Sequence, residues 1–315
     1  MNPAESSSLF HFTQRFDALH NILKNGLRFS YSIEFLPKEF SYNNFNTNKP
    51  TECVDLEHFS TRNFAGVGIP MVCFCDIPLT RAKFHSQNYG KYAIGYNKEF
   101  AQEIFKGLNP VYYLSSDKII NAFIYLSMLK AEKLEENKSY DIPLSGSNLM
   151  RTAVFNSSDE MQRNSFVFNS INSINRLFAF AKLYQIEDKA SGKSFEYYKE
   201  HEWRMCYLDY ENDVTNWIWD CKSKKDLIEP NTRLHKSKYA YTSIKTDYKE
   251  VSLFIMKHLI SHIIVEKESQ VIRLADKISK MNRFMGIPLN KTDDKKIRDF
   301  LISRISSFEQ IEKDY

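Results

Sequence analysis

The 315-residue sequence has few glycines and prolines, nine of each, against 24 phenylalanines and 18 tyrosines. This composition argues against disorder and against a Gly-rich dinucleotide-binding scaffold. No apolar run reaches the about 18 residues needed to span a bilayer. The first residues, MNPAESSSLFHFT, have neither a basic start nor an apolar stretch of signal-peptide length. We therefore expect a cytoplasmic protein.

The sequence also has only a small excess of one charge, and its cysteines and histidines are not spaced like metal ligands. The 43 basic and 39 acidic residues leave a net charge of +4, which permits a nucleic-acid partner without indicating one. The five cysteines lack CxxC spacing, and Cys73 and Cys75 share one face of an apolar run, which favours reduced core thiols. His258 and His262 have no HExxH motif or third ligand, so no metal site is predicted and a metal nuclease is disfavoured.

Apolar patterning predicts a strand-rich first third. Residues 9–13 (LFHFT) form a strand candidate, and a helix follows until Asn25-Gly26 ends it. The polar residues 40–65 predict a long loop. Three further strands are predicted, the first of them buried on both faces, with a helix at 98–107 before the last: 68–79, 91–96 and 109–114.

The rest of the chain is predicted to be mostly helical, apart from one strong strand at 195–210 and a short one that ends the helical segment 249–265. The other predicted helices lie at 117–137, 159–184, 269–281 and 293–312. No internal repeat is present. The simplest architecture is one α+β domain over residues 1–315, with a helical insertion at about 115–190 and helices at the C-terminus.

Two polar clusters could carry chemistry. Period-two alternation places His11 and Thr13 on one face of the first strand, where they could hydrogen-bond ribose hydroxyls or an amide, or form a solvated strand end. The same alternation places Glu200, Glu202 and Arg204 on one face of the strand at 195–210. A carboxylate there could stabilise an oxocarbenium-like transition state, and a solvated, ion-paired strand face is the alternative. Contact of Asp76 or His85 with a ligand is a weaker possibility.

The segments FHFT-x5-LHNILKNGL and E-x-E-W-R together resemble the ADP-ribosyltransferase-like fold, a split β-sheet core. VCFCDIPL (72–79), HSQNYGKYAIGY (85–96), NPVYY (109–113) and HEWR (201–204) resemble the AbiGi family of phage-defence proteins. These segments span roughly residues 9–114 and 195–210, with a weaker match at 260–265.

The resemblance implies NAD as co-substrate, with His11 and Thr13 as its contacts and Glu202 as the catalytic carboxylate. Glu200 would engage the acceptor. The aromatic residue that stacks on nicotinamide stays open among Tyr31, Tyr89 and Tyr92, and the basic residue for the pyrophosphate among Arg15, Arg28 and Arg62.

Two functions follow from the resemblance. The first is a toxin-type ADP-ribosyltransferase, or a related NAD hydrolase, that modifies RNA, another nucleic acid or a protein during abortive infection and is restrained by an antitoxin. The alternative is a catalytically silent, antitoxin-type binding protein of such a toxin-antitoxin pair. The two differ in whether His11 and Glu202 converge on one open pocket or are separated and plugged by neighbouring side chains.

Overall fold

A computed structural model describes residues 6–37, 64–105, 107–114, 177, 179–188, 193–207, 221–236, 258–289 and 294–314. Most of the predicted loop at 40–65, Arg62, the helix at 117–137 and most of the segment 159–184 lie outside these residues, and the last two residues of that loop belong to β3. The strands are β1 (Ser8–Thr13), β2 (Ser30–Pro37), β3 (Phe64–Cys75), β4 (Tyr92–Asn97), β5 (Leu108–Pro110), β6 (Tyr112–Leu114), β7 (Ala181–Leu183), β8 (Gln185–Asp188), β9 (Lys193–Glu196), β10 (Glu202–Cys206), β11 (Ile260–Val265), β12 (Arg283–Phe284), β13 (Ile287–Pro288) and β14 (Ile305–Ser307). The helices are α1 (Phe16–Asn25), α2 (Leu79–Tyr89), α3 (Lys98–Ile104), α4 (Ile228–Lys236), α5 (Ser269–Ser279), α6 (Asp294–Ser303) and α7 (Phe308–Asp314).

Eight strands form one mixed sheet. Its order is β14-β11-β4-β1-β3-β10-β5, and β2 pairs with β3 off this path. All of these pairings are antiparallel except that of β11 with β14. The fold is therefore mixed α/β around a largely antiparallel sheet, and the ADP-ribosyltransferase-like character of that sheet stays a prediction.

The sheet buries apolar side chains on both faces, as the continuous apolar run of β3 predicts. We call the two sides the first face and the second face. Alternate residues of β1, β3, β4 and β10 join the large core of the first face, which also receives α1, α3, α5 and α6: Leu9, Phe74, Ile94 and Met205 are examples. The second face carries a smaller core in which Phe10, Cys75 and Ala93 meet residues of α2 and α7.

Two strands, β1 and β2, pair with the same edge of the long strand β3. At Cys75 it pairs with Phe10 of β1, and from Met71 back to Phe64 it pairs with β2. Its other edge pairs with β10 from Met71 to Cys75. Residues 72–74 of β3 therefore lie between the end of β1 and the start of β2, and neither strand pairs with them along this edge. We call this stretch the ladder gap of β3.

Several predicted boundaries are wrong. The strand predicted at 195–210 is interrupted by a 3-10 turn, Tyr197–Glu200, and by a positive φ of 44° at His201, so its second part begins only at Glu202. Backbone bonds from Tyr198 N to Tyr184 O and from His201 N to Tyr198 O hold this turn. His201 is exposed.

Long-range pairing also overrides the helix predictions at 181–183 and 305–307. Residues 181–183 are β7, paired in parallel with β6, although the helix was predicted to reach 184. Residues 305–307 are β14, which pairs with β11 and divides the helix predicted at 293–312. The strand predicted at 109–114 is split into β5 and β6 between Pro110 and Tyr112, because β5 pairs with β10 and β6 with β7.

Candidate functional site

His11 projects from the first face of the sheet, into the ladder gap of β3. Its Nδ1 lies 2.8 Å from the carbonyl oxygen of Cys73, and its ring lies against Phe74. A carbonyl only accepts, so Nδ1 carries the proton and donates to it. Burial lowers the pKa of His11, although the bond to Cys73 opposes this shift, and the imidazole is neutral at pH 7. His11 thus completes the ladder where no strand reaches β3.

Glu202 and Arg204 project from the second face. Arg204 is fully buried, and its Nε donates to Glu202 Oε1 at 2.7 Å. Its Nη2 lies 2.8 Å from Glu34 Oε1 on β2, and Nη1 donates to the carbonyl of Ala179 at 3.2 Å. The guanidinium therefore has a partner on three sides. Burial works against the charge of Arg204, but the two carboxylates outweigh it and raise its pKa.

Lys182, on β7, closes the other side of Glu202. Its Nζ lies 2.8 Å from Glu202 Oε2 and 2.6 Å from Glu200 Oε2. Glu200 also accepts a hydrogen bond from the hydroxyl of Tyr89 at the end of α2. Burial alone would raise the pKa of Glu202, but the charges and hydrogen bonds of Arg204 and Lys182 hold it well below its usual range. We call Glu34, Lys182, Glu200, Glu202 and Arg204 the charge network.

The backbone of Glu202 is also engaged. Its N–H donates to the hydroxyl of Tyr113 at 2.8 Å, and its carbonyl accepts from Val111 N at 3.0 Å. Glu202 as a whole is only 6% exposed. The carboxylate predicted to be catalytic therefore joins β10 to β7 through Lys182, and Arg204, its second cation, extends the network to β2 through Glu34.

The prediction that His11 and Glu202 share a site is wrong in this structure. Phe10 and Glu202 are both cross-strand partners of Cys75, so their side chains lie on the second face. His11, one residue after Phe10, lies on the first face. The sheet itself separates the two predicted halves of the site.

The remaining predicted contacts lie apart from Glu202. Thr13 pairs with Tyr92 on the first face, and the Tyr92 hydroxyl accepts from Gln270 of α5 at 3.0 Å within the core. Arg15 is exposed at the start of α1. Tyr31 lies on β2 next to α4, where its backbone N–H donates to Asn231 at 2.8 Å. Of the aromatic candidates only Tyr89 touches the charge network, and the contact is a hydrogen bond from its hydroxyl.

The lower-ranked candidates have structural roles. The ring of His85 stacks between those of Phe12 and Tyr89, at centroid distances of 6.4 and 6.0 Å. Asp76 forms an ion pair of 2.5 Å with Lys98, which lies over the ring of Trp203.

The thiols and the histidine pair show no activated group. Burial raises the pKa of both Cys73 and Cys75, in agreement with the packing interpretation. His262 lies on strand β11 and stacks on Phe10, so it does not share a helical face with His258.

A cluster of aromatic rings covers the outer side of the charge network. The ring of Tyr198 contacts Tyr113 at 5.5 Å, Tyr184 at 5.3 Å and His201 at 5.2 Å between centroids. Tyr198 is 45% exposed, a large fraction for a residue with three ring contacts. We call these four residues the tyrosine patch. Sequence patterning missed it, because its members come from three separate segments.

Comparison with known proteins decides the family. A family model described as "Putative abortive phage resistance protein AbiGi, antitoxin" matches residues 34–250. The chain belongs to the AbiGi family. A relative named "Abortive phage resistance protein AbiGi", from Lactococcus lactis subsp. cremoris, is 27% identical over 257 residues, which cover 78% of this chain and 89% of the relative. No solved structure matches the chain.

The AbiGi family confirms the predicted link to abortive phage resistance. Its description names an antitoxin, so the prediction of a toxin-type ADP-ribosyltransferase is wrong and the antitoxin-type alternative is favoured. The ADP-ribosyltransferase-like core and NAD stay predictions that no comparison tests. Within the described residues, no helix combines the length and apolar character of a membrane span.

Proposed function

We propose that this chain is the antitoxin-type member of an abortive-infection pair and neutralises a toxin partner by direct binding. The observation that carries the proposal is the closure of Glu202. Its two carboxylate oxygens bind Arg204 and Lys182 at 2.7 and 2.8 Å, and the residue is only 6% exposed, so little of the carboxylate is open to a substrate. A closed ion-pair network of this kind fixes three strands in one arrangement, which suits a rigid binding surface.

The tyrosine patch supplies that surface. Tyrosine offers a large, stiff contact area with a polar end, and it is enriched among residues that dominate protein interfaces. The rings also restrain one another, so little side-chain entropy remains to be lost on binding. The charge network beneath the patch holds the turn that carries Tyr198, because Glu200 ends this turn and binds Lys182 at 2.6 Å. The toxin partner would contact the patch centred on Tyr198.

The test compares two exposed tyrosines. Tyr198→Ala removes the centre of the patch, whereas Tyr112→Ala removes a side chain that is 52% exposed and points to the opposite side of β6 from Tyr113. Each variant would be co-expressed with the toxin partner, and the affinity of the complex and the protection of growth would be measured. We expect a Kd about 30-fold weaker for Tyr198→Ala, as at an interface hot spot, and a change below about 3-fold for Tyr112→Ala.

Two results would overturn the proposal. One is the absence of a complex between the wild-type chain and the toxin under conditions where both are folded. The other is toxin neutralisation that needs no contact, shown by growth protection from a chain that does not bind. Equal effects of the two tyrosine variants would contradict the assignment of the tyrosine patch.

A further inference from the structure

An exposed basic surface lies on the segment around α4. Six basic side chains in this region are exposed, and we call them the basic ridge: Arg28, Lys222, Lys224, Lys225, Arg233 and Lys236. The only carboxylates in residues 221–236 are Asp226 and Glu229, so the surface has an excess of four positive charges. The net charge of the entire chain is also +4. This small surface therefore carries as large a net charge as the whole chain.

The two carboxylates do little to neutralise the basic ridge. Asp226 is committed to the backbone, because it accepts from Lys222 N at 2.7 Å and from Ser223 N at 2.8 Å in a capping box. Glu229 lies 3.5 Å from Arg233, with both side chains more than 70% exposed. Such a surface pair is screened and weak.

The basic ridge is held firmly on the sheet. The N–H of Cys221 donates to the carbonyl of Gly66 on β3 at 2.8 Å, and Leu227 is buried. Asn231 accepts from the backbone of Tyr31 at 2.8 Å. His235 Nε2 lies 3.1 Å from the carbonyl of Phe29. Anchors at both ends hold the backbone that carries the basic side chains, which reduces the backbone entropy lost when a ligand binds.

We propose that the basic ridge binds the phosphodiester backbone of nucleic acid. The centre of a protein interface is depleted in lysine, whereas nucleic-acid interfaces are polar and strongly positive. Four of the six residues are lysines. Within the described residues 221–236, Ile228 is the single large apolar side chain that is exposed. From Lys225 to Lys236 the surface extends about 16 Å at helical rise, the length of about five phosphate steps along one strand of a duplex.

This proposal is independent of toxin binding. The basic ridge and the tyrosine patch have no residue in common, so each can fail without the other. Contacts to phosphate carry no sequence information, and we therefore assign the surface to sequence-independent binding.

The experiment uses the full chain and fluorescently labelled duplex DNA, duplex RNA and single-stranded DNA, followed by anisotropy over a range of salt concentrations. The test variant changes Lys222, Lys224, Lys225 and Lys236 to Gln. The control changes four other exposed lysines to Gln: Lys280, Lys295, Lys296 and Lys313. Both variants lose the same charge, and circular dichroism and thermal unfolding check that both are folded.

The wild-type chain should bind, with an affinity that falls about 100-fold between about 50 and 200 mM salt if four phosphates are contacted. The basic-ridge variant should bind at least about ten times more weakly at low salt, with a salt slope smaller by about 3 to 4. The control should stay within about 3-fold of wild type.

The comparison of the three probes identifies which nucleic acid fits the basic ridge best, and preference for any of them supports the proposal. Three results would overturn it. They are no binding of any probe at low salt, equal losses in the two variants, and displacement of the nucleic acid by polyglutamate at matched charge concentration. The last result would assign the basic ridge to an acidic protein.

Discussion

Arg204→Met tests whether the charge network holds the second face together. The guanidinium is fully buried and binds Glu202, Glu34 and the carbonyl of Ala179. Methionine has similar volume but leaves two carboxylates without their shared cation. Breaking a buried ion pair on one side costs about 3–5 kcal/mol. For a chain of this length we expect the melting temperature to fall by about 6–10 °C.

The stability lost in Arg204→Met should depend on pH in a defined direction. The pKa of Glu202 is held below its usual range in the wild-type protein, so its ion pairs stabilise the fold above the unfolded pKa, near about 4.3, and this contribution is lost as pH falls. In Arg204→Met the remaining burial raises the pKa of Glu202 relative to wild type, and protonation relieves the stranded charge. The difference in unfolding free energy between the wild type and Arg204→Met should therefore be largest at pH 7 and shrink toward about pH 4.

The measurement is urea unfolding at several pH values, with Arg233→Met as the matched control. Arg233 has an exposed carboxylate partner at 3.5 Å. Arg233→Met should therefore change the free energy of unfolding by no more than about 0.5 kcal/mol. Adding Glu202→Gln to Arg204→Met should recover part of the stability, because one stranded charge is removed. A loss of stability below about 1 kcal/mol in Arg204→Met would refute the reasoning. So would a stability difference from wild type that grows as pH falls.

Gly66→Ala and His11→Ala test two contacts made by the backbone of β3, with Gly107→Ala and His11→Gln for comparison. Gly66→Ala would place a Cβ 2.0 Å from the carbonyl oxygen of Cys221 and should cost about 1–3 kcal/mol in thermal unfolding. Gly107→Ala, where a Cβ meets nothing within 4 Å but φ is +79°, should cost only about 1 kcal/mol, and the reverse order would contradict the packing argument. His11→Ala should lose about 1–3 kcal/mol by stranding the carbonyl of Cys73. Because the pKa of His11 is lowered, wild-type stability should fall from pH 7 to 5 by more than that of His11→Gln, and parallel pH curves would rule out this role.

Much of the sheet could be predicted from local patterns. The apolar runs at 9–13, 68–79 and 91–96 predicted β1, β3 and β4 close to their observed positions, because a strand buried on both faces leaves a continuous apolar segment. Asn25-Gly26 predicted the end of α1, where Gly26 adopts a φ of 93°.

The candidate site could be predicted only in its parts. Alternation correctly placed Glu202 and Arg204 on one face of a strand, but no local pattern shows which faces of distant strands coincide. The predicted pairing of His11 with Glu202 failed for this reason, since the register at Cys75 puts them on opposite faces. Lys182 lay in a segment with helical spacing, and only its pairing with β6 made it a strand residue beside Glu202.

The sequence alone indicated a mixture of helices and strands, the main strands and the family, because apolar periodicity and short motifs are local properties of the chain. The tertiary structure decided whether the glutamate is open or closed. That outcome depends on Glu34, Lys182 and Arg204, which are far apart in the chain and meet only when β2, β7 and β10 assemble. Their charges interact strongly because the sheet removes them from water, and burial of this kind is a property of the folded chain.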